Sequence, residues 1–205
     1  FGENQMIRRA LISVYDKSGL ETVLPCLSSL GSEIIASGGT AQRIMELGYR
    51  CVETSLLTGY PESPHGLVKT LHPKIHGGLM LDPNDPNDRE YMHRQGIVPI
   101  DLLIANLYPL EAVVAKEGVT LRQAAENIDI GGSALIRAAA KAALLTGRVS
   151  VLTHPGQYER FVEETKRNQG ELSEKSKRRL AREAFALTSR YDSAIRDYLS
   201  RLGDT

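Results

Sequence analysis

Residues 9–14, Arg-Ala-Leu-Ile-Ser-Val, and residues 101–106, Asp-Leu-Leu-Ile-Ala-Asn, are the two stretches on which the fold turns. Each is nearly continuous in apolar residues, the pattern of a parallel strand covered on both faces rather than of an alternating, half-wet one. Working outward, Leu20 to Leu30 reads as a helix ended by Gly31 as its C′ residue. Pro25 inside it removes one backbone bond and predicts a kink. Glu33-Ile34-Ile35-Ala36 is a second strand. Ser37-Gly38-Gly39-Thr40 then turns into a helix over 41–47, closed by Gly48, and Arg50-Cys51-Val52-Glu53 is a third strand. Residues 54–78, punctuated by Gly59, Pro61, Pro64, Gly66, Pro73, Gly77 and Gly78, read as a loop-rich connection, of a length that marks functional or disordered segments.

Beyond that loop the alternation resumes. A polar helix is expected over 87–95, stopped by Gly96. Pro109 starts a helix, Thr120 caps one over 121–127, and an alanine-rich helix follows Gly131-Gly132, from Ser133 to about Ala143. Val149-Ser150-Val151-Leu152 is a last strand, before a helix over 157–168. Strands and helices at this spacing form βαβ units, so the fold class is α/β, a mostly parallel sheet with helices on both faces. Such sheets bind ligands at the carboxyl ends of their strands.

Residues 174–201 differ in kind. Leu180, Ala184, Leu187, Tyr191, Ala194, Tyr198 and Leu202 form one apolar helical stripe. A helix of that span would reach ~40 Å at 1.5 Å per residue. It must dock across the sheet, break in two, or pack on a second subunit. The run Lys175-Ser176-Lys177-Arg178-Arg179 reads as its solvated start, although cations there oppose the helix dipole.

Composition bounds the function classes. Lys+Arg and Asp+Glu both count 25 in 205 residues, a balance that argues against a strongly basic nucleic-acid module. No apolar run approaches the ~18–20 residues of a membrane span, and no signal-peptide core opens the chain. Cys26 and Cys51 make no disulfide framework. A cytoplasmic location is expected, with no membrane and no nucleic-acid partner.

Five segments hold polar residues with chemical potential. Tyr15-Asp16-Lys17-Ser18-Gly19 follows the first strand. Ser37-Gly38-Gly39-Thr40 follows the second, where glycines between strand and helix let backbone N–H groups converge on an anion, or simply make a tight turn with Thr40 as cap. The long loop carries Val68-Lys69-Thr70-Leu71-His72-Pro73; Lys69 is either a solvated charge or a functional cation. Asn106-Leu107-Tyr108-Pro109 ends the apolar strand, with Tyr108 either facing a ligand or buried in the core. Ile128-Asp129-Ile130-Gly131-Gly132 leads into Arg137-Ala138-Ala139-Ala140-Lys141; here Asp129 is a helix cap or an acid–base group, and Lys141 a surface or a catalytic cation. His72 and His76 have metal-ligand spacing on a helix, but Pro73 and the glycines speak against a helix there, so no metal is expected.

In this order the motifs DKSG, SGGTA, VKTLHPKIHGG, IDLLIANLYP, ENIDIGG and IRAAAK, with REAFALTSRYDSAI at 182–195, closely resemble the IMP cyclohydrolase domain of the bifunctional purine-biosynthesis enzyme, over about residues 8–200. The resemblance implies a methylglyoxal-synthase-like fold, Rossmann-like and three-layered, with a C-terminal helical extension. It divides the chain into an unassigned segment 1–7, a nucleotide-binding α/β domain 8–155, and a helical extension 156–205 of the same unit. It implies cyclisation of 5-formamidoimidazole-4-carboxamide ribonucleotide to IMP with loss of water, and no cofactor. The partners it implies are a small-molecule nucleotide, a second copy in a homodimer, and a transformylase domain or separate transformylase.

Carried over by position, Lys69 sits at the reacting oxygen as a cationic donor. Lys141 moves a proton, paired with Asp129, while Tyr108 and Asn106 position the base. Tyr15, Asp16, Lys17, Ser37, Gly38, Gly39, Thr40, Leu67, Val68, Thr70, Leu107, Ile130 and Gly131 bind the substrate. Two departures stand out: Leu67 where the family usually has arginine before Val-Lys-Thr, and Ala142 where it usually has asparagine. Loss of a charge-assisted bond at Leu67 would cost ~1.5–3 kcal/mol of affinity. The runner-up readings are a nucleotide-sensing regulatory domain of the same fold and a divergent cyclohydrolase with an altered substrate.

Overall fold

The computed structural model describes residues 6–61, 69–115 and 118–202. Five strands, β1 Arg9–Ser13, β2 Glu33–Ala36, β3 Val52–Glu53, β4 Leu102–Ala105 and β5 Ser150–Leu152, form one sheet in the order β3-β2-β1-β4-β5, every pairing parallel. Leu11, Ile12, Leu102 to Ala105, Val151 and Leu152 are all inaccessible to solvent, which is why these strands read as continuous apolar runs. The chain lays β1, β2 and β3 outward on one side, then crosses back to set β4 on the other flank of β1. The crevice of an open sheet lies at such a reversal, here between β1 and β4.

Ten helices surround the sheet among the described residues: α1 Leu20–Ser29, α2 Gly38–Glu46, α3 Thr54–Thr58, α4 Pro73–Met80, α5 Pro86–Gln95, α6 Leu110–Val114, α7 Leu121–Glu126, α8 Ile130–Leu145, α9 Tyr158–Arg167 and α10 Glu174–Leu202. Helix α9 packs on α1, α8 covers β4 and β5 and touches α4, and α10 lies across α8 and β5. Helices thus cover both faces, as the alternation requires. Helix α1 runs through the exposed Pro25.

Three expectations need correction. The stretch 54–78 is not simply a loop, because α3 and α4 lie in it. Pro73 takes the first turn of α4, the His72 side chain accepts the Lys74 N–H, and Ile75 and Leu79 are fully buried beneath it. Gly78 is there for space: a Cβ on it would lie 2.5 Å from the Val98 carbonyl oxygen. Its helix cost, about 1 kcal/mol, is offset by that close packing. Second, α8 begins at Ile130 instead of Ser133, because Asp129 caps it by accepting the Gly132 N–H at 2.7 Å, so the two glycines open the helix rather than precede it. Likewise α2 begins at Gly38.

Third, the basic run is not wholly solvated. Lys177 is 6% exposed and donates to the Gly147 carbonyl just past the end of α8. Ser176 is buried and donates to Glu164 of α9. Helix α10 is unbroken over 29 residues. It runs antiparallel to α8, since Lys177 meets the end of α8 and Tyr191 meets residues just before its start. Leu180, Ala184, Tyr191 and Tyr198 of the stripe are buried and Leu202 is exposed, so this helix docks along its own domain.

The buried Arg148 locks the opposite rim of the sheet. Its guanidinium donates to the carbonyls of Gly78, Leu79 and Ile100 at 2.8, 3.0 and 2.8 Å and pairs with Asp101 at 2.9 Å. Burial pushes its pKa down, and Asp101 works against that shift.

Candidate active site

The β1 loop and the end of β4 are stitched together at the strand reversal. The Asn106 side chain accepts the backbone N–H groups of Tyr15 and Asp16 at 2.7 and 2.9 Å and donates to the Asp16 carbonyl at 2.8 Å. Its amide is thereby engaged with backbone, which makes it a positioning group for the loop that carries Lys17. Beside it the exposed rings of Tyr15 and Tyr108 meet with centroids 4.8 Å apart, so Tyr108 is not a core residue. The Asp16 carboxylate accepts the Ser18 N–H, and its pKa is lowered chiefly by that bond.

An anion cradle follows β2. Helix α2 starts without a side-chain cap, leaving its first N–H groups to another acceptor. Gly38 and Gly39 keep its mouth open. A Cβ on Gly38 would sit 3.1 Å from Lys69 Nζ, and one on Gly39 3.8 Å from Lys17 Nζ. Two ammonium groups, one from the β1 loop and one from the segment before α4, thus converge on a helix N-terminus, the arrangement that binds phosphate. Lys17 Nζ also donates to the Tyr15 carbonyl at 3.1 Å. Thr40 is neither cap nor free hydroxyl: its buried side chain bonds both the N–H and the carbonyl of Val14, holding α2 to the end of β1.

Thr70 carries the chain from this cradle to the start of α8. Its Oγ1 would be 3.1 Å from a Cβ on Gly131, and the Leu107 side chain closes on Gly132. Asp129, the cap of α8, is the buried carboxyl here. Burial raises its pKa, against the Gly132 and Tyr108 N–H groups, which lower it. Its own N–H donates at 2.8 Å to the hydroxyl of Tyr191, which in turn donates to the Asn127 carbonyl at 3.2 Å.

A cleft of about 650 Å3 opens between α4, α8 and α10, bordered by Asp129, Ile130, Ser133, Arg137, Lys141 and Tyr191. Lys141 and Asp129 share it without pairing. They are twelve residues apart along one helix, ~18 Å at 1.5 Å per residue, and Lys141 is exposed. The expected Asp129–Lys141 contact is therefore absent within this chain. Leu67 and Val68 lie outside the described residues. His72 and His76 do sit at the start and within α4, yet each has another occupation. His72 is the cap, and His76 bonds the Thr70 backbone, its pKa lowered by burial and raised by that bond.

Sequence reading missed Tyr191, which it placed in an apolar stripe, and the Arg137 guanidinium stacked 5.6 Å from the Phe185 ring centroid. The signal for Tyr191 was present: a tyrosine on a buried stripe carries a hydroxyl that must find a partner.

Residues 19–134 match the MGS-like domain and residues 139–205 match the AICARFT/IMPCHase bienzyme. The chain is similar to the bifunctional purine biosynthesis protein PurH of Magnetococcus marinus, 44% identical over 96% of this chain and 36% of that protein. It is likewise similar to PurH of Leptospira biflexa, 46% identical over 96% of this chain and 38% of that protein. The chain thus spans little more than a third of the length of these curated relatives. The crystal structure of ForH superposes with a TM-score of 0.80 at 27% identity, covering 93% of this chain and 98% of that one.

Proposed function

The chain belongs to the MGS-like domain family, with a C-terminal third of the AICARFT/IMPCHase bienzyme type, and we propose that it is an IMP cyclohydrolase, closing 5-formamidoimidazole-4-carboxamide ribonucleotide to IMP. The observation that carries this reading is the convergence of Lys17 and Lys69 on the uncapped start of α2, with Thr70, the residue after Lys69, lying beside Gly131. A ribonucleotide held by its 5′-phosphate at α2 would lay its base toward that turn.

In the reaction the carboxamide nitrogen bonds the formyl carbon, and the formyl oxygen leaves as water carrying one proton from each of the two nitrogens. Both partners belong to one molecule, so the site supplies conformation, charge stabilisation and proton transfer. Lys17 and the backbone of Ser37, Gly38, Gly39 and Thr40 hold the phosphate. Thr70, Leu107, Ile130 and Gly131 flank the ring. Lys69, at the edge of the cradle and one residue from Thr70, turns from the phosphate side toward the base to donate to the formyl oxygen as negative charge gathers on it, a contribution of ~10²–10³ in rate. Asp129, whose raised pKa suits exchange of a proton, accepts from the carboxamide nitrogen. Tyr15 and Tyr108 close the rim, and Asn106 and Asp16 hold the Lys17 loop. Lys141 exchanges protons with water at the outer part of the Asp129 cleft. The proposal includes a cytoplasmic homodimer acting with a transformylase; the exposed Leu199 and Leu202 at the end of α10 support a second copy.

No helix among the described residues is long and apolar enough to cross a membrane. The deciding experiment is a spectrophotometric cyclisation assay with the formamido ribonucleotide, run beside Lys69→Ala and Asp129→Asn. Turnover in the natural chain and its loss in both variants bears the reading out. Tight IMP binding without any cyclisation overturns it in favour of a nucleotide-sensing domain.

A further inference from the structure

The basic run at the start of α10, which the proposed chemistry does not use, forms one wall of a second cleft. This cleft, about 470 Å3, lies between α9 and α10 and is lined by six cations: Arg160 and Arg167 from α9, and Lys175, Arg178, Arg179 and Arg182 from α10. Glu164 is its one carboxylate, and both oxygens of that group are occupied. One accepts from the Ser173 N–H and hydroxyl at 2.9 and 2.6 Å, the other from the Ser176 hydroxyl at 2.6 Å. Those bonds serve the fold by tying α9 to the first turn of α10.

The cations are not balanced from within. Arg179 pairs with Glu183 at 2.8 Å, yet its Nε is buried without a partner. Arg160 acts on the Glu164 carboxylate and helps to lower its pKa, whereas Arg167, Lys175, Arg178 and Arg182 make no hydrogen bond or ion pair among the described residues. In a chain whose net charge is zero, such crowding raises mutual repulsion and opposes the dipole of α10. A bound polyanion would relieve both. Guanidinium groups favour phosphate oxygens, which they can grip in bidentate fashion. On each helix the cations lie up to seven residues apart, ~10 Å, longer than a single phosphate needs. No aromatic or large aliphatic side chain lines the cleft, so a base would find no ring or apolar wall there.

We infer that the α9–α10 cleft is a second anion site, built for a condensed phosphate: either a free oligophosphate or the phosphate tail of a nucleoside triphosphate. It lies on the flank of the domain, apart from the cradle at α2, and the inference does not depend on the cyclohydrolase reading.

The test is calorimetric titration of the whole chain with tripolyphosphate at fixed ionic strength. It is repeated on the double variant Arg178→Ser/Arg182→Ser, whose two exposed side chains make no bonds to lose, and on Lys17→Ala. Tripolyphosphate should bind more tightly than orthophosphate, about tenfold or more weaker in the double variant, and unchanged in Lys17→Ala. GTP binding as tightly as tripolyphosphate would assign the site to a triphosphate tail, and weaker GTP binding to a free oligophosphate; either supports the inference. No tripolyphosphate binding, equal binding of orthophosphate, or binding that is lost in Lys17→Ala and kept in the double variant overturns it. An acidic peptide that binds where tripolyphosphate does not would overturn it as well.

Discussion

Tyr191→Phe removes one oxygen atom and isolates what α10 does for the site. The hydroxyl holds the Asp129 N–H at 2.8 Å and the Asn127 carbonyl at 3.2 Å, and the residue is 8% exposed. Phenylalanine fills the same space, so packing is kept and no cavity opens. Two backbone groups lose their partner. A buried group left unsatisfied costs about 1–3 kcal/mol, but Asp129 borders an open cleft where water can reach its N–H. The expected loss is therefore about 2 kcal/mol, which for a domain of this size lowers Tm by about 4–8 °C. The turn 127–129 would also drift, carrying the carboxyl that caps α8, while the phosphate cradle at α2 stays intact. Steady-state kinetics on the formamido ribonucleotide should then show kcat down about tenfold or more, since small misplacements of a reacting group carry such factors, with KM nearly unchanged. A Tm within 1 °C of the parent, together with unaltered kcat, would refute the claim that α10 positions the acid–base group.

Other outcomes follow from the same geometry. Arg148→Met should destabilise by about 3–5 kcal/mol, because it leaves the buried side of Asp101 unpaired; a urea midpoint close to the parent's would contradict that. Gly78→Ala should cost about 1–3 kcal/mol or more by forcing a Cβ against the Val98 carbonyl, again read in urea. Burial raises the Asp129 pKa in the folded chain. Its contribution to stability is therefore complete below the ordinary aspartate value and falls away as pH rises through the raised one. The urea midpoint of Asp129→Asn should lack that decline, and identical pH profiles for the two proteins would count against it.

Much of this molecule was legible one element at a time. The apolar runs at 9–14 and 101–106 marked strands buried on both faces, because a parallel strand has no wet side to encode. Thr120 was legible as the cap of the helix over 121–127, and the structure adds Gln123 to it as a capping box at the start of α7. Glycine misled the reading three times, at 38–39, at 77–78 and at 131–132. A glycine within a helix looks the same in sequence as one that ends it, and only the approach of a neighbour such as the Val98 carbonyl separates the two.

Tertiary structure decided what depends on residues far apart in the chain. It brought Lys17 and Lys69 to the same pair of glycines, and it put Lys141 and Asp129 along one helix too far apart to pair within one chain. It also turned part of a charged run inward, where Lys177 donates to the Gly147 carbonyl just past the end of α8. The physical reason is one of range. Propensity, capping and periodicity act within a few residues and are written locally, whereas the meeting of charges depends on crossover lengths and helix docking that no single stretch encodes. From residue types alone the chain could be known to carry lysines, a carboxyl and an anion-binding turn; which of them face one another was settled by packing.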